Sequence, residues 1–287
     1  MKLDRNTILF NAGGGLAVLI VGAYFVRTAL FPDSPPACGS EYSNMTQLPL
    51  EREGGDLFTS GDLQARLSGR DYGVLENTRV VRADGQKDAV LEVSLPKGSL
   101  SPRQTASSNK GGVAFQWRPT RMEQASAACL SYSVFLPTDF DFKRGGTLPG
   151  LYGVADGGRT DDKVAFATRY MWRDGGKVEM LATLPNPNGG DSRTVSMEQD
   201  AFRLPRGQWV KLDQEVLLNA AGRKDGAMRI WVDGNLVIDR KGMNLRDTDS
   251  VAFAGVQADV HYGGTDVSFQ APKDTRIQLT PFVVRTR

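Results

Sequence analysis

The chain has a single histidine, His261, followed at once by Tyr262 and a Gly-Gly pair. Both side chains can move protons, so they form a candidate acid–base pair ahead of a turn. A structural histidine at a strand end is the competing reading. One histidine excludes a zinc site built on several. The loop DGGRTDD, from Asp156 to Asp162, has the acidic, glycine-rich composition of a calcium loop. It lacks regular ligand spacing and reads as a solvated turn. No G-x-S-x-G elbow, Walker loop or dinucleotide fingerprint occurs. Neither a metal nor a cofactor is expected.

The elements that must position these groups are short strands. Val113–Trp117, Ala127–Leu136, Val164–Trp172 and Val210–Leu218 carry the alternation and β-rich composition of half-buried strands. The segment MRIWVDGNLVIDR predicts a hairpin, because Asp233-Gly234 tolerates the positive φ angles of a two-residue turn. No sustained 3.6-residue apolar period and no fixed repeat follows residue 46, and 32 glycines punctuate the apolar runs. The fold class is therefore all-β, a jelly roll or sandwich of two antiparallel sheets. With 287 residues, 40% of them hydrophobic, one large core is within reach. A curved sheet of this kind offers a groove to a chain-like ligand.

The N-terminus predicts a different environment. Lys2 and Arg5 precede a mostly apolar run from Ile8 to Val26, closed by Arg27. As a helix, 19 residues span about 28 Å, enough for the hydrocarbon core of a bilayer. No small-residue cleavage site follows, so an uncleaved anchor is preferred to a signal peptide. The expected organisation is a cytoplasmic tail (1–7), a transmembrane signal-anchor (8–27), a Pro-rich linker (28–45) and a β domain (46–287). The basic residues before the span place the domain outside the cytoplasm, periplasmic or extracellular. There Cys38 and Cys129 either pair, tying linker to domain, or remain two thiols. Charge is nearly balanced, 35 basic against 33 acidic residues, which speaks against a nucleic-acid partner.

One stretch carries a resemblance. Phe140 to Gly153 (FDFKRGGTLPGLYG), then Arg169 and Met171-Trp172-Arg173, then GQWVKL and IWVDG, are similar in order and kind to family-14 polysaccharide lyases. The likeness runs from about Thr46 to the C-terminus. It implies a β-jelly roll and β-elimination on a uronic-acid polymer of alginate or glucuronan type. That chemistry needs a cation on the C5 carboxylate, a base for the neighbouring proton and an acid for the leaving oxygen. The family implies a lysine just before the LPG turn, a serine and an arginine on the next strand, and two tyrosines at i, i+2 on the strand after it.

This chain departs from that set. Thr147 stands at the lysine position, Ala167 at the serine, and Leu181 and Thr183 at the tyrosines; Arg169 is retained. The expectation is a polysaccharide-binding protein with a lyase-like fold. Arg169 and Arg173 would pair with carboxylates, and Arg144 and Thr147 lie within the binding set. Residues 141–180 hold seven basic and six acidic side chains, so the polysaccharide is acidic or neutral. The alternative is an active lyase with a site rebuilt from Lys143, Tyr152, Arg169, His261 and Tyr262. A third reading is a scaffold subunit that meets other envelope-assembly proteins.

Overall fold

Period-two alternation becomes two antiparallel sheets in the computed structural model, which describes residues 36–39, 41–103, 109–155, 164–186, 188–264 and 266–287. The strands are β1 (Asn44–Gln47), β2 (Ser68–Tyr72), β3 (Thr78–Val81), β4 (Val90–Leu95), β5 (Val113–Trp117), β6 (Ala127–Phe135), β7 (Gly146–Val154) and β8 (Val164–Trp172). They continue as β9 (Lys177–Leu184), β10 (Arg193–Arg203), β11 (Trp209–Leu217), β12 (Gly226–Val232), β13 (Asn235–Met243), β14 (Ala252–Tyr262), β15 (Thr275–Leu279) and β16 (Val283–Thr286). Among the described residues the first sheet runs β13-β12-β11-β6-β15-β4-β3, with β16 also on β6 and β1 on β16. The second runs β10-β9-β8-β7-β14-β5-β2. Sequence neighbours cross between sheets, as a jelly roll requires. The predicted hairpin is β12–β13, with Asp233 at φ 49° and Gly234 at φ 80°.

The inward rows meet as one apolar layer. Phe115, Tyr132, Phe166, Tyr170, Trp172 and Phe253 lie in it, all with little or no exposure. One polar side chain crosses it. Gln214 of β11 is fully buried; its Oε1 accepts from the Leu151 N–H (2.9 Å) and the Thr168 hydroxyl (3.1 Å), and its Nε2 donates to the Thr168 carbonyl (3.1 Å). Register slips between Leu148 and Leu151, where β7 meets β8, and Gln214 satisfies the backbone at that slip. A polar residue of one sheet thus fixes the bulge beside Thr147 in the other, where the LPG turn of the sequence is in fact part of strand β7.

The packed unit spans Ala37–Arg287. Ahead of β1, Cys38 is bonded to Cys129 of β6, with Cα atoms 5.7 Å apart. Tyr42 donates to Glu215 Oε1 at 2.6 Å on the same outer face. Residues 8–27, the expected membrane span, and the loop from Asp156 to Asp162 lie outside the described residues. Among the described residues no helix is long and apolar enough to cross a membrane.

Candidate functional site

Strand alternation chooses which side chains leave the core of the second sheet. On β14, Val256, Ala258 and Val260 enter the core, so Gln257, Asp259 and His261 take the outer face. On β8, Phe166, Tyr170 and Trp172 enter it, leaving Ala167, Arg169 and Met171 outside. Register then aligns His261 with Thr147 of β7, Thr147 with Met171, and Arg169 with Leu181 of β9. These residues, with Arg173, Ser101, Gly263, Gly264 and Phe269, line a groove of about 370 Å³. Ser101 brings the segment after β4 into the lining. Gly112, at φ 73°, lets it run against β14: a Cβ there would sit 2.6 Å from His261 Cβ and 2.2 Å from the Val260 carbonyl.

A buried carboxylate organises the floor. Asp259 is wholly buried; its Oδ2 accepts from Arg169 Nη1 and from Gln257 Nε2 (2.8 Å), and its Oδ1 accepts from Arg103 Nη1 (2.9 Å). Burial alone would raise its pKa, but Arg169, Arg103 and His261 hold the carboxyl below its ordinary range. His261 is 9% exposed. Burial lowers its pKa against the opposing pull of Asp259, so the imidazole is neutral near pH 7. Its Nδ1 lies 2.9 Å from the Tyr262 carbonyl, which can only accept; the proton is therefore on Nδ1, and Nε2 is the basic nitrogen. Arg173 Nε donates to Glu179 Oε1 at 2.8 Å. Three guanidiniums facing two carboxylates leave the groove with one net positive charge. Thr147 Oγ1, Arg169 Nε and Gln257 Oε1 are buried without a hydrogen-bond partner among the described residues. Each such atom costs about 1–3 kcal/mol, which a ligand or solvent oxygen would offset.

Thr147, Arg169, Arg173 and His261 therefore stand together. Other residues singled out in the sequence stand elsewhere. Tyr262 faces the core, stacked on Phe140 at 5.7 Å, and its hydroxyl donates to the Asp141 carbonyl. Adjacent strand residues point to opposite faces, so it and His261 do not form an acid–base pair. Tyr152 is fully buried farther along β7, where its hydroxyl accepts from Arg118 Nε at 2.9 Å. Burial raises its pKa, only partly countered by Arg118. Lys143 sits at φ 49° in the exposed turn before β7, its N–H bonded to Asp141 Oδ1 at 2.9 Å. Arg144 lies over the Phe269 ring at 4.5 Å and bonds Ser268 Oγ at 2.5 Å, at the rim. Asp259, Gln257 and Arg103 were not anticipated. The first two were visible as the outward positions of VQADVH, whereas Arg103 has no local signal. Among the described residues no three His, Cys, Asp or Glu side chains converge as metal ligands.

The architecture is that of a two-sheet β-jelly roll with a groove across the outer face of one sheet. Residues 83–282 match the family described as Polysaccharide lyase 14, and the chain belongs to that family. Its fold is similar to the PL-14 alginate lyase from Aplysia kurodai, at 23% identity, with 76% of this chain and 90% of that one covered and a TM-score of 0.63. Alginate lyase vAL-1 from Chlorella virus shows 20% identity over 84% of this chain and 99% of that one, with a TM-score of 0.64. A double mutant of alginate lyase Aly36B in complex with alginate tetrasaccharide shows 18% identity over 85% and 97%, with a TM-score of 0.61. No curated protein matches the chain by sequence.

Proposed function

We propose that this chain binds a uronic-acid polysaccharide of alginate type along the groove and does not cleave it. The observation that carries the reading is the groove's chemistry. It presents guanidiniums anchored by Asp259 and Glu179, but Thr147 takes the place where the family resemblance implies a lysine, and Leu181 and Thr183 the places where it implies tyrosines. Threonine supplies no positive charge, and leucine moves no proton. Arginine forks match carboxylates bidentately, and the net positive charge favours a polyanion. On this reading residues 8–27 anchor the protein and the β domain works outside the cytoplasm, holding an exopolysaccharide or envelope glycan near the membrane.

His261 favours a second reading. Its neutral imidazole, beside Arg169, is a groove side chain able to take a proton, so β-elimination on a rebuilt site is the alternative. One experiment separates them. Purified protein is mixed with alginate while binding and the ultraviolet absorbance of unsaturated products are followed together. Binding without absorbance growth, weakened about tenfold or more in Arg169→Ala, is the expected result, since a charge-assisted hydrogen bond contributes about 1.5–3 kcal/mol. Absorbance that grows and vanishes in His261→Ala would overturn the binding-only reading in favour of the lyase.

A further inference from the structure

We propose a second saccharide site on the outer face of the first sheet, recognising sugar rings by stacking and hydroxyl hydrogen bonds rather than by charge. It does not depend on the groove. Three neighbouring strands place Trp209 of β11, Phe135 of β6 and Gln278 of β15 in one row, because Trp209 pairs with Phe135 and Phe135 with Gln278. These residues, with Arg82 and Arg276, border a cavity of about 570 Å³, larger than the groove and within the range of small-ligand sites. The two aromatic rings lie 5.4 Å apart. They belong to the solvent-facing row, where their neighbours are Lys211, Ser133, Asp213 and Ser131, so core packing does not explain them. The indole N–H donates to the Asp84 carbonyl at 3.3 Å, which fixes the ring's orientation.

The polar groups around this platform are already engaged. Arg82 is bidentate to Glu51 (2.8 and 2.7 Å); Arg276 Nε (3.1 Å) and Gln278 Nε2 (2.9 Å) both meet Glu92 Oε2, whose Oε1 takes Arg79 (2.7 Å). Both guanidiniums remain more than half exposed, at 53% and 57%. Such an array offers directional donors held in place by their own carboxylate partners. An aromatic floor with a few fixed polar groups suits the apolar C–H face and the hydroxyls of a neutral hexose chain.

The tryptophans supply the assay. Of the four, Trp117, Trp172 and Trp231 are at most 5% exposed, so Trp209 is the indole an aqueous quencher reaches. Acrylamide quenching of the full chain is measured with and without cellohexaose. The quenching constant should fall roughly by half, since a bound oligosaccharide buries most of its surface against the ring. The protection should persist in about 1 M salt, where screening acts within about 3 Å, and in Arg169→Ala. Arg276→Ala should weaken it about tenfold, the effect of losing roughly 1.4 kcal/mol. No protection by cellohexaose, or unchanged affinity in Arg276→Ala, would overturn the assignment. Protection only by an alginate hexasaccharide and abolished by salt would also overturn it, marking an anion site instead.

Discussion

Replacing Asp259 by asparagine tests whether one buried carboxylate holds the groove together. The side chain has no exposure and accepts from Arg169, Arg103 and Gln257. Asparagine keeps the shape but removes the charge, leaving two guanidiniums facing each other and a positive groove floor. Removing one partner of a buried ion pair costs roughly 3–5 kcal/mol. The Arg103 side chain is 38% exposed, so water screens part of that loss, and about 3 kcal/mol is expected. For a unit of this size each kcal/mol shifts Tm by about 2–4 °C, so thermal unfolding should move down by roughly 6–12 °C. The sign with pH follows from the lowered pKa of Asp259. Its contribution is fully present above the unfolded value, about 3.9, and is lost as pH falls through the lower folded value. The gap between wild type and Asp259→Asn should therefore be constant near neutrality and close in acid. A variant that melts with wild type at pH 7 and binds alginate equally well would refute the organising role of Asp259.

Three other outcomes follow. Cys38→Ser opens a bond between residues 91 positions apart and should cost about 4–5 kcal/mol by the chain-entropy treatment, seen as a lower unfolding midpoint that reducing agent does not lower further. The single imidazole gives one titrating histidine signal in NMR, and burial should place its midpoint below about 6.5. Stability tied to His261 should accordingly rise with pH through that window and fall as the medium acidifies past it; a midpoint above the ordinary value would contradict the burial argument. Arg169→Lys keeps a cation near Asp259 but removes the fork, so it should weaken alginate binding while melting closer to wild type than Arg169→Ala does.

The strands were the legible part of this sequence because their physics is local. Val113–Trp117 and Val164–Trp172 end where the alternation does, and β6 stops one residue short of the expected Leu136. The Asp233-Gly234 turn was readable because positive φ is a property of the residues themselves. Groove membership of Arg169 and Thr147 came from motif order. Tyr262 was misplaced by treating sequence adjacency as spatial adjacency on a strand, where it means the reverse. Arg103 was illegible for another reason. It reaches Asp259 across 156 positions of chain, and no residue near it in sequence records that contact.

Arg169 also shows why the survival of a motif residue says little about chemistry. Its guanidinium is 18% exposed and neutralises a carboxylate that has no access to water. Losing it would leave that charge to Arg103 and Gln257 alone, so stability by itself favours an arginine here. The residues implied for proton transfer have no such second duty. Leu181 lines the groove and Thr183 lies on the same outer face, on a strand whose inward side chains, Val178 and Met180, do the packing, so those two positions can change at little cost to the fold. On the binding-only reading proposed above, the arginine anchored by Asp259 is the part of the implied set that the fold itself retains, whereas the positions of Thr147, Leu181 and Thr183 are free to change. Comparing Arg169→Lys with Arg169→Ala therefore matters more than either alone: the first keeps the charge that Asp259 meets and removes only the fork a ligand carboxylate would use.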